Sequence, residues 1–185
     1  MRLHRVFVAV DFPDSIIKEV ARVQEVLGNW KFDGKMTELE NLHLTLKFLG
    51  EVDDNKLEEA KRKLSEIKFN KFEARLDGIG TFNYNGNPRI VWIKIGGKGI
   101  FELQRKVDNA LTGLFKPEER FMSHTTIARI KYVKDKNGFN KHIKGIKLRD
   151  VKFEVDKFKL KESELRELGP IYNDIGAYNL KDAKS

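Results

Sequence analysis

Two stretches far apart in the chain carry the same short pattern. HLTLKFLG at 43–50 places a histidine, a threonine two residues on, and then an aliphatic residue. SHTTIARI at 123–130 does the same with His124, Thr126 and Ile127. The whole sequence holds four histidines and six threonines, so two of the four histidines share a scarce partner at the same offset. Both stretches read as strands. Alternation sets each His and its Thr on one face, about 6–7 Å apart. In the first stretch it places His43, Thr45 and Lys47 on one side and Leu44, Leu46 and Phe48 on the other.

The surroundings repeat as well. A strand (5–10), a helix (about 14–28) and the first His-Thr strand (42–49) are echoed by a strand (89–95), a helix (about 98–115) and the second His-Thr strand (121–132). The order predicts a single domain over 1–185 built from two similar lobes related by a pseudo-twofold axis. The two His-Thr strands then face each other across a cleft. Between these units, Asp53 or Asp54 caps a helix whose stripe is Leu57, Ala60, Leu64 and Ile67. A half-buried strand runs through Phe72, Ala74 and Leu76, and turn formers crowd 83–88. A short helix is expected over 137–146. Val151, Phe153 and Val155 alternate in one parity, Phe158 and Leu160 in the other, which predicts a bulge near Asp156. Gly169 and Pro170 sit in a loop before a last strand at 171–180, and the tail KDAKS is expected to be loose.

Two imidazoles facing one cleft suit paired acid–base chemistry, because near neutral pH one can accept a proton while the other donates one. The Thr45 and Thr126 hydroxyls could donate to oxyanions between them. A phosphodiester fits: an attacking oxygen on one side, a leaving oxygen on the other. Two histidines could also be metal ligands, yet no third ligand stands at a telling spacing, and catalytic zinc sites usually supply three. The layout needs neither metal nor cofactor. His4 and His142 have no Thr partner and read as incidental.

Charge supports an anionic partner. The formal net charge is +8, and residues 131–161 hold eleven Lys/Arg against four Asp/Glu. That segment is a candidate RNA platform. Tyr84, Trp92 and Tyr132 are candidate base-stacking rings, although Trp92 lies in an apolar strand and reads as core. There is no cysteine, hence no disulfide framework, and no run approaches 18 apolar residues. A cytoplasmic monomer with no membrane contact is the expectation. Heavy use of Lys and Glu fits a heat-adapted source.

RVFVAVDFP, ENLHLTLKFLGEV, PRIVWIKI, RFMSHTTIARI and ESELRELGPIYNDI, in that order, resemble one family over nearly the whole chain. It is the two-histidine (2H) phosphoesterase superfamily, and within it the RNA 2′,3′-cyclic phosphodiesterases of bacteria and archaea, also called 2′-5′ RNA ligases. The resemblance implies a bilobal α+β fold, with two antiparallel sheets forming a V-shaped groove and helices outside. It implies His43 and His124 as the catalytic pair, with Thr45 and Thr126 holding the phosphate. By the same resemblance His124 is the base and His43 the acid, although the pseudo-symmetry leaves both orders open. Arg129 matches the family's arginine after the second motif, which contacts nucleotide or phosphate. Simple alternation places Arg129 on the face opposite His124, so a local bend has to bring it round. Ser123 stands where many relatives carry proline.

The implied substrate is an RNA with a 2′,3′-cyclic phosphate end, tRNA halves included. The implied product is a 2′-phosphate, and the reverse reaction is 2′-5′ joining. The alternatives are another 2H activity, on an ADP-ribose cyclic phosphate or 2′-5′ oligoadenylate, and a non-catalytic RNA-binding module.

Overall fold

The computed structural model describes residues 3–183. In chain order the elements are β1 (His4–Asp11), α1 (Asp14–Gly28), β2 (Asp33–Met36), β3 (His43–Val52), α2 (Asp54–Ser65), β4 (Phe72–Tyr84), β5 (Asn87–Gly96), α3 (Lys98–Ala110), β6 (His124–Tyr132), α4 (Lys136–Gly145), β7 (Lys152–Val155), β8 (Lys157–Arg166) and β9 (Gly169–Asn179). The strands form two antiparallel sheets. One has the order β3-β1-β8-β9 and the other β2-β6-β5-β4-β7. Helices cover the apolar faces, and the opposite faces form the walls of a groove.

The helices form where the apolar spacing and the caps call for them. Ile16, Val20, Val23 and Leu27 of α1 are all fully buried. Asp53 caps α2 by accepting from the Lys56 amide at 2.9 Å. The third helix is shorter than its apolar stripe. Leu111 is still fully buried, but the helix ends at Ala110 and Gly113 takes φ +88°, folding 111–115 into a turn well before Pro117. Asn85 and Gly86, at φ 48° and 72°, close the β4–β5 hairpin as a two-residue turn whose twist matches the strands.

Three expectations change. First, the parity switch at Asp156 is no bulge. β7 ends at Val155 paired with β4, and β8 starts at Lys157 and pairs with β1 in the other sheet. The chain changes sheets there, so each strand follows its own core face. Second, Gly169 and Pro170 do not sit in a loop but open β9, because β8 runs on to Arg166 and pairs with β9 from Gly169 onward, leaving only Glu167 and Leu168 as the turn. Third, the tail is held at its start. Lys181 N donates to Phe69 O and its carbonyl accepts from Lys71 N; Lys184 and Ser185 lie outside the described residues.

The alternation in the first His-Thr strand also breaks. β1 pairs Ala9 with Thr45 but Val8 with Lys47, so Leu46 is an extra residue. Beyond it the faces exchange. Lys47 turns inward, 4% exposed, and Phe48 turns outward, 73% exposed. The buried Lys47 ammonium pairs with Asp108 of α3 and donates to Lys116 O at 2.6 Å. Asp108 also accepts from the Glu118 amide at 3.1 Å. A buried charge stripped of its partner costs far more than the pair gains. Asp108→Ala should therefore destabilise the protein by ~3 kcal/mol. Adding Lys47→Met should recover most of that loss, read as the midpoint of urea unfolding. A single variant as stable as wild type would show the pair to be dispensable.

Candidate active site

The same register slip occurs in the second His-Thr strand. β5 pairs Trp92 with Thr126 but Val91 with Ala128, leaving Ile127 as the extra residue. Ile127 and Ala128 are consecutive and both fully buried, which strict alternation forbids. The slip sends Arg129 to the face that carries His124 and Thr126. This is the bend that the parity argument requires. The corresponding slip at Leu46 sends Phe48 to the face of His43 and Thr45. Each wall therefore presents a histidine, a threonine and, three residues after the threonine, a third side chain: Phe48 on one wall, Arg129 on the other.

All six line one cavity of about 640 Å³ between the sheets. His43 Nδ1 lies 2.8 Å from Asn41 O, and His124 Nδ1 lies 2.8 Å from Met122 O. A carbonyl oxygen only accepts, so each Nδ1 carries the proton and each Nε2 is left as the basic nitrogen. The two rings are supported alike. Tyr172 meets His43 edge-on at 5.2 Å, and Phe82 meets His124 edge-on at 5.0 Å.

Beyond that the histidines differ. Phe7 also lies against the His43 ring at 4.9 Å, and the Thr45 hydroxyl donates to His43 Nε2 at 2.9 Å. Tyr172 comes from β9, the far edge of a four-stranded sheet. In a flat sheet it would stand about 14 Å from β3. The contact shows that this sheet curls until side chains from its two edge strands meet over its concave face. Burial under these rings pushes the His43 pKa below its ordinary value, with the nearby Lys161 and His124 charges acting the same way. The Asn41 carbonyl and Asp11 oppose them.

Several sequence expectations meet a different arrangement. Trp92 is half-buried but lies on the groove-side face, opposite Thr126 and over Gly80, where a Cβ would stand 2.5 Å from the indole. Tyr84 and Tyr132 are exposed, but neither lines the cavity. The basic segment also stays away: no residue from 131 to 161 lines the cavity. Lys159 and Lys161 are instead paired with Asp11 and Asp174 at 2.5–2.9 Å. The cations that do line it are Arg5, Lys35 and Arg129. Of these only Arg129 was legible as a motif. Phe48 and Tyr172 went unnoticed, the first because the slip reverses its face, the second because only the curl brings it near. Among the described residues, no cluster of three or more His, Cys, Asp or Glu is placed to hold a metal ion. No helix among the described residues is long and apolar enough to cross a membrane.

Known proteins match this chain over most of its length. The model of the LigT-like phosphoesterase family matches residues 10–92 and 95–172. An RNA 2′,3′-cyclic phosphodiesterase of Methanocaldococcus jannaschii is 37% identical over 92% of this chain and 98% of its own. One of Archaeoglobus fulgidus is 37% identical over 94% of this chain and 99% of its own. A crystal structure of a Thermus thermophilus protein superposes with a TM-score of 0.82 at 26% identity, covering 97% of this chain and all of its own.

The buried setting of His43 has a measurable sign. In an NMR titration its ring should change charge below the ordinary imidazole value of about 6.5. The unfolded chain protonates this group at higher pH than the folded one, so its contribution to stability is present above about pH 6.5 and is lost as pH falls below it. An anion bound between the rings should move the His43 midpoint upward. A midpoint at or above 6.5 in the free protein would contradict the burial argument.

Proposed function

Because the chain belongs to the LigT-like phosphoesterase family, we propose that it hydrolyses the terminal 2′,3′-cyclic phosphate of RNA to a 2′-phosphate. The observation that carries this is the matched pair of imidazoles on one cavity, each with Nδ1–H committed to a carbonyl two residues earlier. Each ring is thereby oriented with Nε2 available for proton transfer.

In this reading the cyclic phosphate lies between the two walls. Neutral His124 takes a proton from water through Nε2 as the water oxygen bonds to phosphorus. The bond from phosphorus to the 3′ oxygen breaks, and His43 Nε2–H gives that oxygen its proton. The 2′ ester remains. His124 ends protonated and His43 neutral, and exchange with solvent resets both. His43 must be charged to act as the acid, and its low pKa in the free protein opposes this. The anionic phosphate supplies the compensating charge. Thr45, bonded to His43 Nε2 in the free protein, would turn its hydroxyl to a non-bridging oxygen, with Thr126 opposite. Arg129 would hold the anionic phosphate with its planar fork of donors. With a 5′-hydroxyl in place of water as the attacking group, the same steps would join the two ends through a 2′-5′ linkage; abundant water favours hydrolysis.

Two experiments test this. His43→Ala and His124→Ala should each lower the rate on a 2′,3′-cyclic nucleotide on the order of 10²–10⁴-fold. Wild-type rate should be unchanged in excess chelator. Near-full activity in either variant would remove the two-histidine mechanism, and loss of activity in chelator would point to a metal. The second experiment concerns RNA grip. Among the described residues the cations lining the groove are Arg5, Lys35 and Arg129, and Lys35 is already paired with Glu38, so at most about three phosphates are neutralised. The slope of log affinity against log salt for single-stranded RNA should then be about −2. A slope steeper than about −5 would restore the 131–161 platform.

A further inference from the structure

The β8–β9 hairpin reaches further than a sheet edge requires. Its tip reaches Lys35 of β2, in the opposite sheet, and Asn41 of the 3₁₀ turn Leu39–Asn41, which leads from β2 into β3. Lys35 Nζ donates to Leu168 O at 2.8 Å, and Asn41 Nδ2 donates to Pro170 O at 3.0 Å. Gly169 takes φ +128° between these two bonds, a conformation that side chains disfavour. Leu168 at the tip is 89% exposed, so apolar burial does not hold the crossing in place. The two hydrogen bonds do.

Asn41 has a second role at the same time. Its carbonyl accepts the His43 Nδ1–H. One residue thus grips the hairpin by its side chain and His43 by its backbone. Two positions along the hairpin from Pro170, Tyr172 rests its ring on His43 and on Phe7, the latter at 5.0 Å. Each histidine takes its ring neighbour from its own sheet, Tyr172 for His43 and Phe82 for His124; the difference lies in the carbonyl partner, because Met122 has no side-chain N–H or O–H with which to grip a second segment as Asn41 does.

We propose that Asn41 and Tyr172 are positioning residues for His43, and that the hairpin tip tied across the groove fixes this one ring. An RNA end that presses on the tip would be felt by His43 and not by His124. The inference rests on the reading of His43 as an acid–base group. The charged and titratable groups around that ring are Lys161 from β8, Asp11 from β1, Tyr172 from β9 and His124 from β6.

The test uses Asn41→Ala, which keeps the carbonyl but frees it from the tip, Lys35→Ala, which cuts the other tie, and Tyr172→Ala. Each should lower kcat on 2′,3′-cyclic AMP on the order of ten- to a hundredfold; in Asn41→Ala and Tyr172→Ala KM should stay within about twofold, as expected when a reacting group is misplaced, whereas Lys35 also lines the groove and its kcat and His43 signals are the readout. Tyr172→Phe should recover more of the rate than Tyr172→Ala. By NMR, the His43 Nδ1–H should exchange faster in Asn41→Ala. In Tyr172→Ala the His43 titration should move upward as water reaches the ring. His124 signals should stay still in all three. Variants that leave His43 as in wild type, or that move His43 and His124 alike, overturn the proposal. If Tyr172→Ala fails to fold, the two tie variants still decide. If the wild-type protein turns over no cyclic phosphate, the hydrolase reading fails, while the NMR measurements still decide the coupling.

Discussion

The site depends on a one-residue slip in each of two strands. A strand alternates its side chains strictly, so His-x-Thr alone gives a wall only two functional groups before the third falls where alternation dictates. One extra residue after the threonine, Leu46 on one strand and Ile127 on the other, changes that. It lets two consecutive side chains point inward and returns the next one to the groove. The inward pair is Leu46–Lys47 in β3 and Ile127–Ala128 in β6. The returned residues are Phe48 and Arg129. Bulged strands also twist more strongly, which suits two strands that line one groove.

Similar local chemistry on the two walls does not make the two histidines equivalent. Both donate Nδ1–H to the carbonyl two residues upstream and both meet an aromatic edge. The difference arises from the shape of the sheets. The β3-β1-β8-β9 sheet curls until its far strand covers His43, and the added Phe7 contact and the Thr45 hydroxyl bond enclose the ring further. Burial disfavours the charged form of His43 in the free protein, so the anionic phosphate has to supply the compensating charge if this ring is to act as the donor.

Charge shows a similar contrast between amount and placement. The excess of Lys and Arg over 131–161 suggests a platform for a polyanion. In the structure Lys159 and Lys161 are taken up by Asp11 and Asp174, and α4 turns Phe139 and Ile143 into the core and lines no part of the groove. Among the described residues the groove is lined by three cations, Arg5, Lys35 and Arg129, each from a different strand. A phosphate there meets directed donors rather than a diffuse field.

Much of the architecture was legible in the sequence. The helix over 14–28, the Asp53 cap, the two His-Thr strands and the strand at 89–95 follow from apolar period and turn chemistry, which are local. The repeated His-x-Thr-aliphatic pattern named four of the site's residues, because identity and spacing along one strand are properties of the chain itself. β2 was missed because Asp-Gly-Lys-Met carries no strand signal; it forms only because β6 offers it an edge. The sheet switch at Asp156 read as a bulge because both produce the same change of parity. The faces of Lys47, Phe48 and Arg129 depend on which partner residue each strand residue meets, and register is not written in either strand alone. Tyr172 and Asn41 join the site through the curl of a whole sheet and a hairpin that crosses a groove, contacts between segments more than a hundred residues apart that only the packed structure decides.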